Sequence, residues 1–119
     1  FWNRKLKAAE DYLILPIIKN NKRNSFLFYP ITVIENRFFS KTQLVNYLEK
    51  NKIETRPIMT GNITKQPVSK KFNYKKQDKL KNAQYITQNS FAIGNHHEMS
   101  SSKHFIADTI LEFISKKTK

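Results

Sequence analysis

The sequence predicts one small α/β domain of the two-layer α+β kind, with about three strands and flanking helices. Its 119 residues allow one compact core, 39% of them are hydrophobic and only two are glycine, a composition typical of a folded globular domain. Segments with helical spacing alternate with short segments rich in aromatic and β-branched residues. That alternation is expected where helices pack on a sheet.

The first third of the chain predicts one helix and one strand. Apolar residues spaced by three and four up to Leu13 predict a helix that ends before Pro16. Residues 25–34 are dense in aromatic and β-branched types, which favours a strand. Pro30 places that strand at an edge or a bulge, because proline has no N–H to donate to a ladder.

The middle third predicts a helix and a second strand. Ser40 and Gln43 match a capping box, which predicts a helix from there to about Asn51. Residues 53–58 predict a short strand that leaves the sheet at Pro57.

The last third predicts a weak helix over 78–88, a short strand over 91–93 and a final helix. The final helix begins within the serines at 100–102, where a hydroxyl is expected to cap it. Its predicted buried face consists of Phe105, Ile106, Thr109, Ile110, Phe113 and Ile114.

Charge and composition limit the classes of function. The formal net charge of +13 permits an anionic partner, but the lysines are spread over many segments, which argues against a nucleic-acid-binding arm. The absence of cysteine excludes disulfides and thiolate metal sites and favours the cytoplasm. No apolar run approaches the roughly 20 residues of a membrane span. The start at Phe1, without a methionine, suggests a fragment of a longer chain.

A polar loop at 56–66 is the first candidate site. It follows a strand end and surrounds Gly61, and its polar members are Arg56, Asn62, Thr64, Lys65 and Gln66. Arginine and lysine suit a phosphate or carboxylate, and the amides suit sugar hydroxyls. The alternative is an ordinary polar turn in which Arg56 pairs with Glu54 or Asp78.

The second candidate is the run Asn95, His96, His97 and Glu98. Adjacent histidines on an extended chain point to opposite faces, which argues against a shared metal ion, and no zinc-protease motif is present. At least one of His96 and His97 is therefore expected to line a site edge or to form a local hydrogen bond.

Three stretches together resemble a known family. They are 11–16 with 28–33, the pattern T-R-x-x-x-x-G-N-x-x-x-Q-P at 55–67, and 82–83 with 93–95. On these residues nearly the whole chain resembles the C-terminal small domain of the DegT/StrS-type, pyridoxal-phosphate-dependent sugar aminotransferases and their 3-dehydratase relatives. The middle pattern looks closest to the branch that handles nucleotide-linked 4-keto-6-deoxyhexoses for lipopolysaccharide and O-antigen sugars.

The resemblance implies that residues 1–119 form the small domain of a type I aminotransferase fold. A large domain would precede it, bind pyridoxal or pyridoxamine 5'-phosphate, and hold the Schiff-base lysine, or the histidine of the dehydratases. No catalytic, cofactor or metal residue is therefore assigned to this chain, and whether the chain alone is an enzyme stays open. The longer protein would be a homodimer that either transfers an amino group to its sugar or removes the C3 hydroxyl.

Within that resemblance, Arg56 is expected to bind an anionic group, Asn62 and Lys65 sugar or diphosphate, and Asn95, His96 and His97 the edge of the site. The alternative function is a basic nucleic-acid-binding module. It rests on the net charge and on a segment at 70–76 that interleaves lysines with aromatic residues.

Overall fold

The computed structural model describes residues 1–19, 21–22, 24–76 and 78–119, and it contains one four-stranded antiparallel sheet with helices packed against it. The strands are β1 (Leu13–Ile14), β2 (Phe28–Val33), β3 (Thr55–Pro57) and β4 (Ser90–Gly94). Their order across the sheet is β1-β2-β4-β3. The predicted mixed α/β class is confirmed.

Four α-helices lie among the described residues: α1 (Trp2–Lys5), α2 (Lys41–Lys50), α3 (Lys81–Asn89) and α4 (Ser102–Thr118). Short 3₁₀ turns follow α1 at Leu6–Ala9 and occupy Ile63–Lys65 and Pro67–Lys71. None of the helices in these ranges has the length and apolarity that crossing a bilayer requires.

The N-terminal helix is shorter than predicted, because helical backbone ends at Ala9 instead of continuing towards Pro16. Leu13 pairs with Val33 and Ile14 with Thr32, so these residues form the unpredicted strand β1. Leu13 is nevertheless 3% exposed. Burial of Leu13 satisfies a helical spacing and a strand equally well, which is why the apolar pattern alone gave the wrong element.

The core lies on one face of the sheet. Buried and half-buried residues alternate along β2, and Tyr29, Ile31 and Val33 point to the buried face. Helix α2 adds Leu44 and Leu48 to this core, and the whole cluster joins α1, α2 and α4 to the sheet. The buried residues of α4 are Ile106, Ala107, Thr109, Ile110, Phe113 and Ile114.

Two helix starts were predicted from side-chain caps, with different outcomes. The capping box at Ser40 and Gln43 is confirmed in both directions. At α4 the prediction of a serine cap is wrong: Ser101 precedes the helix without a side-chain hydrogen bond. Its backbone is helical (φ −92°, ψ −40°), whereas a capping side chain usually starts from extended backbone. Phe105, predicted on the buried face, is 55% exposed.

Strand β2 lies between two other strands, but at Pro30 only one of them, β4, pairs with it. β1 covers only Thr32 and Val33, and Pro30 is opposite Ala92 of β4. Within the described residues, the Phe28–Ile31 part of β2 therefore has no paired strand on its β1 side. This is the edge environment predicted for Pro30.

Candidate functional site

The 56–66 loop leaves the sheet at the end of β3 and turns sharply at Thr60 and Gly61. Both residues have left-handed backbone, with φ of 66° and 53°, and the Gly61 N–H donates to the carbonyl of Met59 at 2.7 Å. A β-branched residue is rare in this region. Neighbouring contacts must therefore hold the turn in place.

Asn62 is 4% exposed and joins the loop to α3. Its backbone N–H donates to Thr87 Oγ1 at 2.7 Å, and its side-chain Nδ2 donates to Gln84 Oε1 at 3.3 Å. Its Oδ1 accepts from both the N–H and the hydroxyl of Thr64. One N–H of the side-chain amide is not used by these bonds, because a primary amide has two donors.

Arg56 lies on the sheet face opposite the core, since it pairs with Ala92, which in turn pairs with Pro30. Its guanidinium contacts Glu54 at 2.5 Å, and both side chains are 70% exposed. The surface pairing considered as an alternative is thus present. Arg56 also borders a cavity of about 360 Å³ together with Gly94 and Met99.

Lys65 is exposed at the end of the 3₁₀ turn that Asn62 begins. It borders a different cavity, of about 510 Å³, between the loop and the start of α3. Lys76 and Lys79 border the same cavity, and so does Asp78. Three cations converge here on one open space.

The second candidate segment lies beside the N-terminal helix. Asn95 Oδ1 accepts from Trp2 Nε1 at 2.9 Å, and its Nδ2 donates to the carbonyl of Phe26 at 2.8 Å. His96 and His97 are exposed. Their rings lie 4.1 Å apart at 36°, so the prediction that the two side chains point to opposite faces is wrong. The reason is that β4 ends at Gly94, and the histidines lie in a turn instead of extended chain.

His96 forms the expected local hydrogen bond, because its Nδ1 accepts from the N–H of Glu98 at 3.2 Å. His97 Nε2 lies 3.9 Å from a Glu98 carboxylate oxygen. Among the residues that the structure describes, no three histidine, aspartate or glutamate side chains form a group suited to a metal ion.

An aromatic cavity of about 310 Å³ lies between this segment and α1. Inside it the Tyr29 hydroxyl donates to Asn3 Oδ1, and Asn3 Nδ2 donates to the carbonyl of Pro16. Burial raises the pKa of Tyr29 to about 12, so the phenol keeps its donor proton further into the alkaline range than an exposed tyrosine does. The cavity is lined by Phe1, Trp2, Asn3, Ile18, Phe26, Tyr29, Asn95, His96, His97, Met99 and Lys103.

The structure therefore divides the six predicted site residues into two groups. Met99 borders both the Arg56 cavity and the aromatic cavity, and the aromatic cavity is the one that Asn95, His96 and His97 line. Asn62 and Lys65 lie together at α3. Sequence reasoning missed Thr87, Gln84 and Trp2, which hold these segments. Thr87 and Gln84 are polar residues on a weakly amphipathic helix, and nothing in the sequence around them indicates that they bond Asn62, more than 20 positions away.

The four-stranded antiparallel sheet and its helices share their fold with part of a solved pyridoxal-phosphate enzyme. The solved structure of the E. coli GDP-4-keto-6-deoxy-D-mannose-3-dehydratase with bound hydrated PLP matches 92% of this chain. The TM-score is 0.80 at 27% identity, and the match covers 28% of that enzyme. Residues 1–110 match the DegT/DnrJ/EryC1/StrS aminotransferase family, and the chain belongs to that family.

Two curated relatives are nucleotide-sugar enzymes. A dTDP-4-dehydro-2,6-dideoxy-D-glucose 3-dehydratase of Saccharopolyspora spinosa is 29% identical over 107 residues, which are 89% of this chain and 23% of the relative. A GDP-4-keto-6-deoxy-D-mannose 3-dehydratase of E. coli O55:H7 is 31% identical over 92 residues, 76% of this chain and 24% of the relative. The chain thus spans about a quarter of the length of these relatives.

Proposed function

We propose that this chain is the C-terminal small domain of a longer pyridoxal-phosphate-dependent enzyme that acts on a nucleotide-linked 4-keto-6-deoxy sugar. The supporting observation is the match in sequence and fold to 3-dehydratases of such sugars over most of the chain. A role in the synthesis of lipopolysaccharide or O-antigen sugars fits a further relative, the lipopolysaccharide biosynthesis protein RfbH of Salmonella typhimurium, which is 30% identical over 89 residues. The comparisons give no support to the nucleic-acid alternative.

The described residues do not form a pyridoxal phosphate site by themselves. A Schiff-base lysine needs a desolvated cavity, and an aspartate must face the pyridine nitrogen. No lysine in the described ranges is buried, and the three aspartates Asp11, Asp78 and Asp108 are exposed. The cofactor supplies an electron sink when bound, and in this proposal the large domain holds it. This chain would supply substrate contacts.

The geometry supports two kinds of substrate contact. Among the described residues, the Arg56 side chain is held by a surface pair with Glu54. Such pairs contribute little stability, so a phosphate can replace the carboxylate at low cost. Lys65, together with Lys76 and Lys79, offers point charges to a diphosphate. The remaining N–H of Asn62 suits a sugar hydroxyl. Asn95, His96 and His97 would form another edge of the site, along the aromatic cavity.

Replacing Arg56 tests the substrate-binding role. In the longer enzyme we expect Arg56→Ala to raise KM for the nucleotide sugar about 10- to 100-fold, the loss expected for one charge-assisted contact. Arg37→Ala is the matched control, because Arg37 is also exposed but stacks over Phe38. Unchanged KM and kcat in Arg56→Ala would remove Arg56 from the site.

The reaction itself is open to a direct product assay. The 3-dehydratase relatives favour loss of the C3 hydroxyl over amino transfer, and mass spectrometry of the sugar product separates the two reactions.

We further propose that the enzyme is cytoplasmic and that it is a homodimer. Gel filtration with light scattering checks the homodimer. A monomer that turns over substrate at full rate contradicts the dimer.

A further inference from the structure

The hydroxyl of Thr87 connects helix α3 to the 56–66 loop. It donates to the carbonyl of Ala83 one helical turn earlier, at 2.7 Å. The same oxygen accepts from the backbone N–H of Asn62 at 2.7 Å, a bond between residues 25 positions apart. Both hydrogen-bonding roles of this hydroxyl are therefore used, one within the helix and one towards the loop.

The loop lies so close to this hydroxyl that only glycine fits next to it. A Cβ on Gly61 would lie 2.4 Å from Thr87 Oγ1 and 3.1 Å from Thr87 Cβ. Left-handed backbone at Thr60 and Gly61 brings the chain into this position. Such backbone is strained at a β-branched residue and persists only where other contacts impose it. The Thr87–Asn62 bond is one such contact, and the bond from Gln66 Nε2 to the carbonyl of Thr60 is another.

The position of Lys65 depends on this attachment. With its N–H fixed on Thr87, Asn62 uses its side-chain oxygen to cap Thr64, and the 3₁₀ turn Ile63–Lys65 starts there. That turn places Lys65 at the edge of the cavity it shares with Lys76 and Lys79. Release of the Asn62 N–H would free the residue that caps the turn carrying Lys65.

We propose that Thr87 is a positioning residue for substrate binding: its hydroxyl sets the loop conformation that presents Asn62 and Lys65 to the substrate. This inference rests on the proposed function, because it assigns to Thr87 a role in the binding step of that reaction. Thr87 itself does not contact the substrate.

The first test measures the attachment in this chain, independently of any reaction. Amide hydrogen exchange at Asn62 is compared in wild type, Thr87→Val and Thr87→Ser. We expect about tenfold faster exchange in the valine variant, as for the loss of one hydrogen bond, and wild-type exchange in the serine variant. Thr109→Val is the matched control, because its hydroxyl donates to the carbonyl of Phe105 in α4 and not to a loop.

The second test measures the consequence in the longer enzyme. We expect Thr87→Val to raise KM for the nucleotide sugar about tenfold with kcat nearly unchanged, the pattern of lost uniform binding. Thr87→Ser should restore KM, and Thr109→Val should leave it unchanged. If Thr87→Val does not fold, Gly61→Ala displaces the loop from the same hydroxyl and gives the same comparison.

Three outcomes overturn the proposal. The first is unchanged exchange at the Asn62 amide in Thr87→Val. The second is an effect of Thr109→Val on exchange or on KM as large as that of Thr87→Val. The third is faster exchange in Thr87→Val with an unchanged KM. A wild-type enzyme that does not turn over any nucleotide sugar overturns the proposed function and the positioning role with it. The exchange measurement separates that case, because it reports the Thr87–Asn62 bond alone.

Discussion

Helix α4 buries six residues, whereas none of the nine residues of helix α3 is buried. The two helices differ in the contacts that hold them. α4 packs apolar side chains into the core, while α3 is joined to the rest of the chain by polar bonds. Lys41 Nζ donates to the carbonyl of Thr87, and the N–H of Glu35 donates to the Tyr85 hydroxyl.

This difference indicates that the two helices have different roles: α4 stabilises the fold, and α3 fixes the geometry of the loop. Apolar burial stabilises in proportion to area and has no preferred direction, so it suits the face that only has to stay folded. Hydrogen bonds are directional and contribute less, so they suit a loop that must hold one geometry. We expect changes at α4 to lower stability and changes at α3 to alter the loop.

The largest expected effect comes from a pair of isoleucines, one on each helix. Ile110 on α4 is fully buried, and Ile86 on α3 is 43% exposed. We expect Ile110→Ala to lower the free energy of unfolding by about 2–5 kcal/mol, as for a core cavity. Ile86→Ala should cost less than about 1 kcal/mol. Urea unfolding of both variants checks this, and equal losses would remove the distinction between the helices.

The next effect concerns the turn at Gly61. We expect Gly61→Ala to cost about 1–3 kcal/mol, because alanine is strained at a φ of 53° and its Cβ would collide with Thr87 Oγ1. Gly94→Ala is the control, since a Cβ there meets no atom within 4 Å. Thermal unfolding measures both. A loss at Gly61 that is no larger than at Gly94 contradicts the close packing of loop on helix.

The last expected effect is a pH dependence that arises on the core side of the domain. The native state keeps the Tyr29 proton until a pKa of about 12, against an ordinary value of 10.0. The stabilisation is complete below pH 10 and is lost as pH rises to about 12, at up to about 1.4 kcal/mol per pH unit. We expect Tyr29→Phe to remove this slope in urea unfolding between pH 10 and 12, with the surface variant Tyr74→Phe as control.

The attachment of the 56–66 loop to α3 is expected to be independent of pH over the range in which Tyr29 titrates. This attachment consists of Thr87, Asn62 and Gln84, whose side chains do not titrate in this range. Exchange at the Asn62 amide, corrected for its intrinsic rate, should therefore show no step that follows the Tyr29 titration. A step at the same pH that Tyr29→Phe removes would mean that the core and the loop open together.

Local patterns were predictable from the sequence, and contacts between distant segments were not. The capping box at Ser40 depends on residues three apart, so the pattern contains all the information needed. The pairing of Leu13 with Val33 and the bond from Asn62 to Thr87 depend on how separate segments meet. The contact between the rings of His96 and His97 was missed for a related reason: the end of the strand was predicted, but the turn that follows it and brings the two rings together was not.

In the candidate site, too, the residue types were predictable from the sequence and their spatial arrangement was not. Arg56 and Lys65 were identified from residue type, and the structure finds both exposed on cavities. The sequence did not show that these are separate cavities, because that depends on the path of the loop between them.

The outer strands of the sheet have a consequence for self-association. β1 has two residues and β3 has three, and β3 ends with Pro57. The part of β2 that β1 does not cover contains Pro30, which has no backbone N–H to donate to a neighbouring strand. Short strands and prolines at an edge leave another chain few consecutive groups to pair with. The short outer strands therefore disfavour growth of the sheet by strand addition at β1 and β3, even though side chains such as Leu27 are exposed.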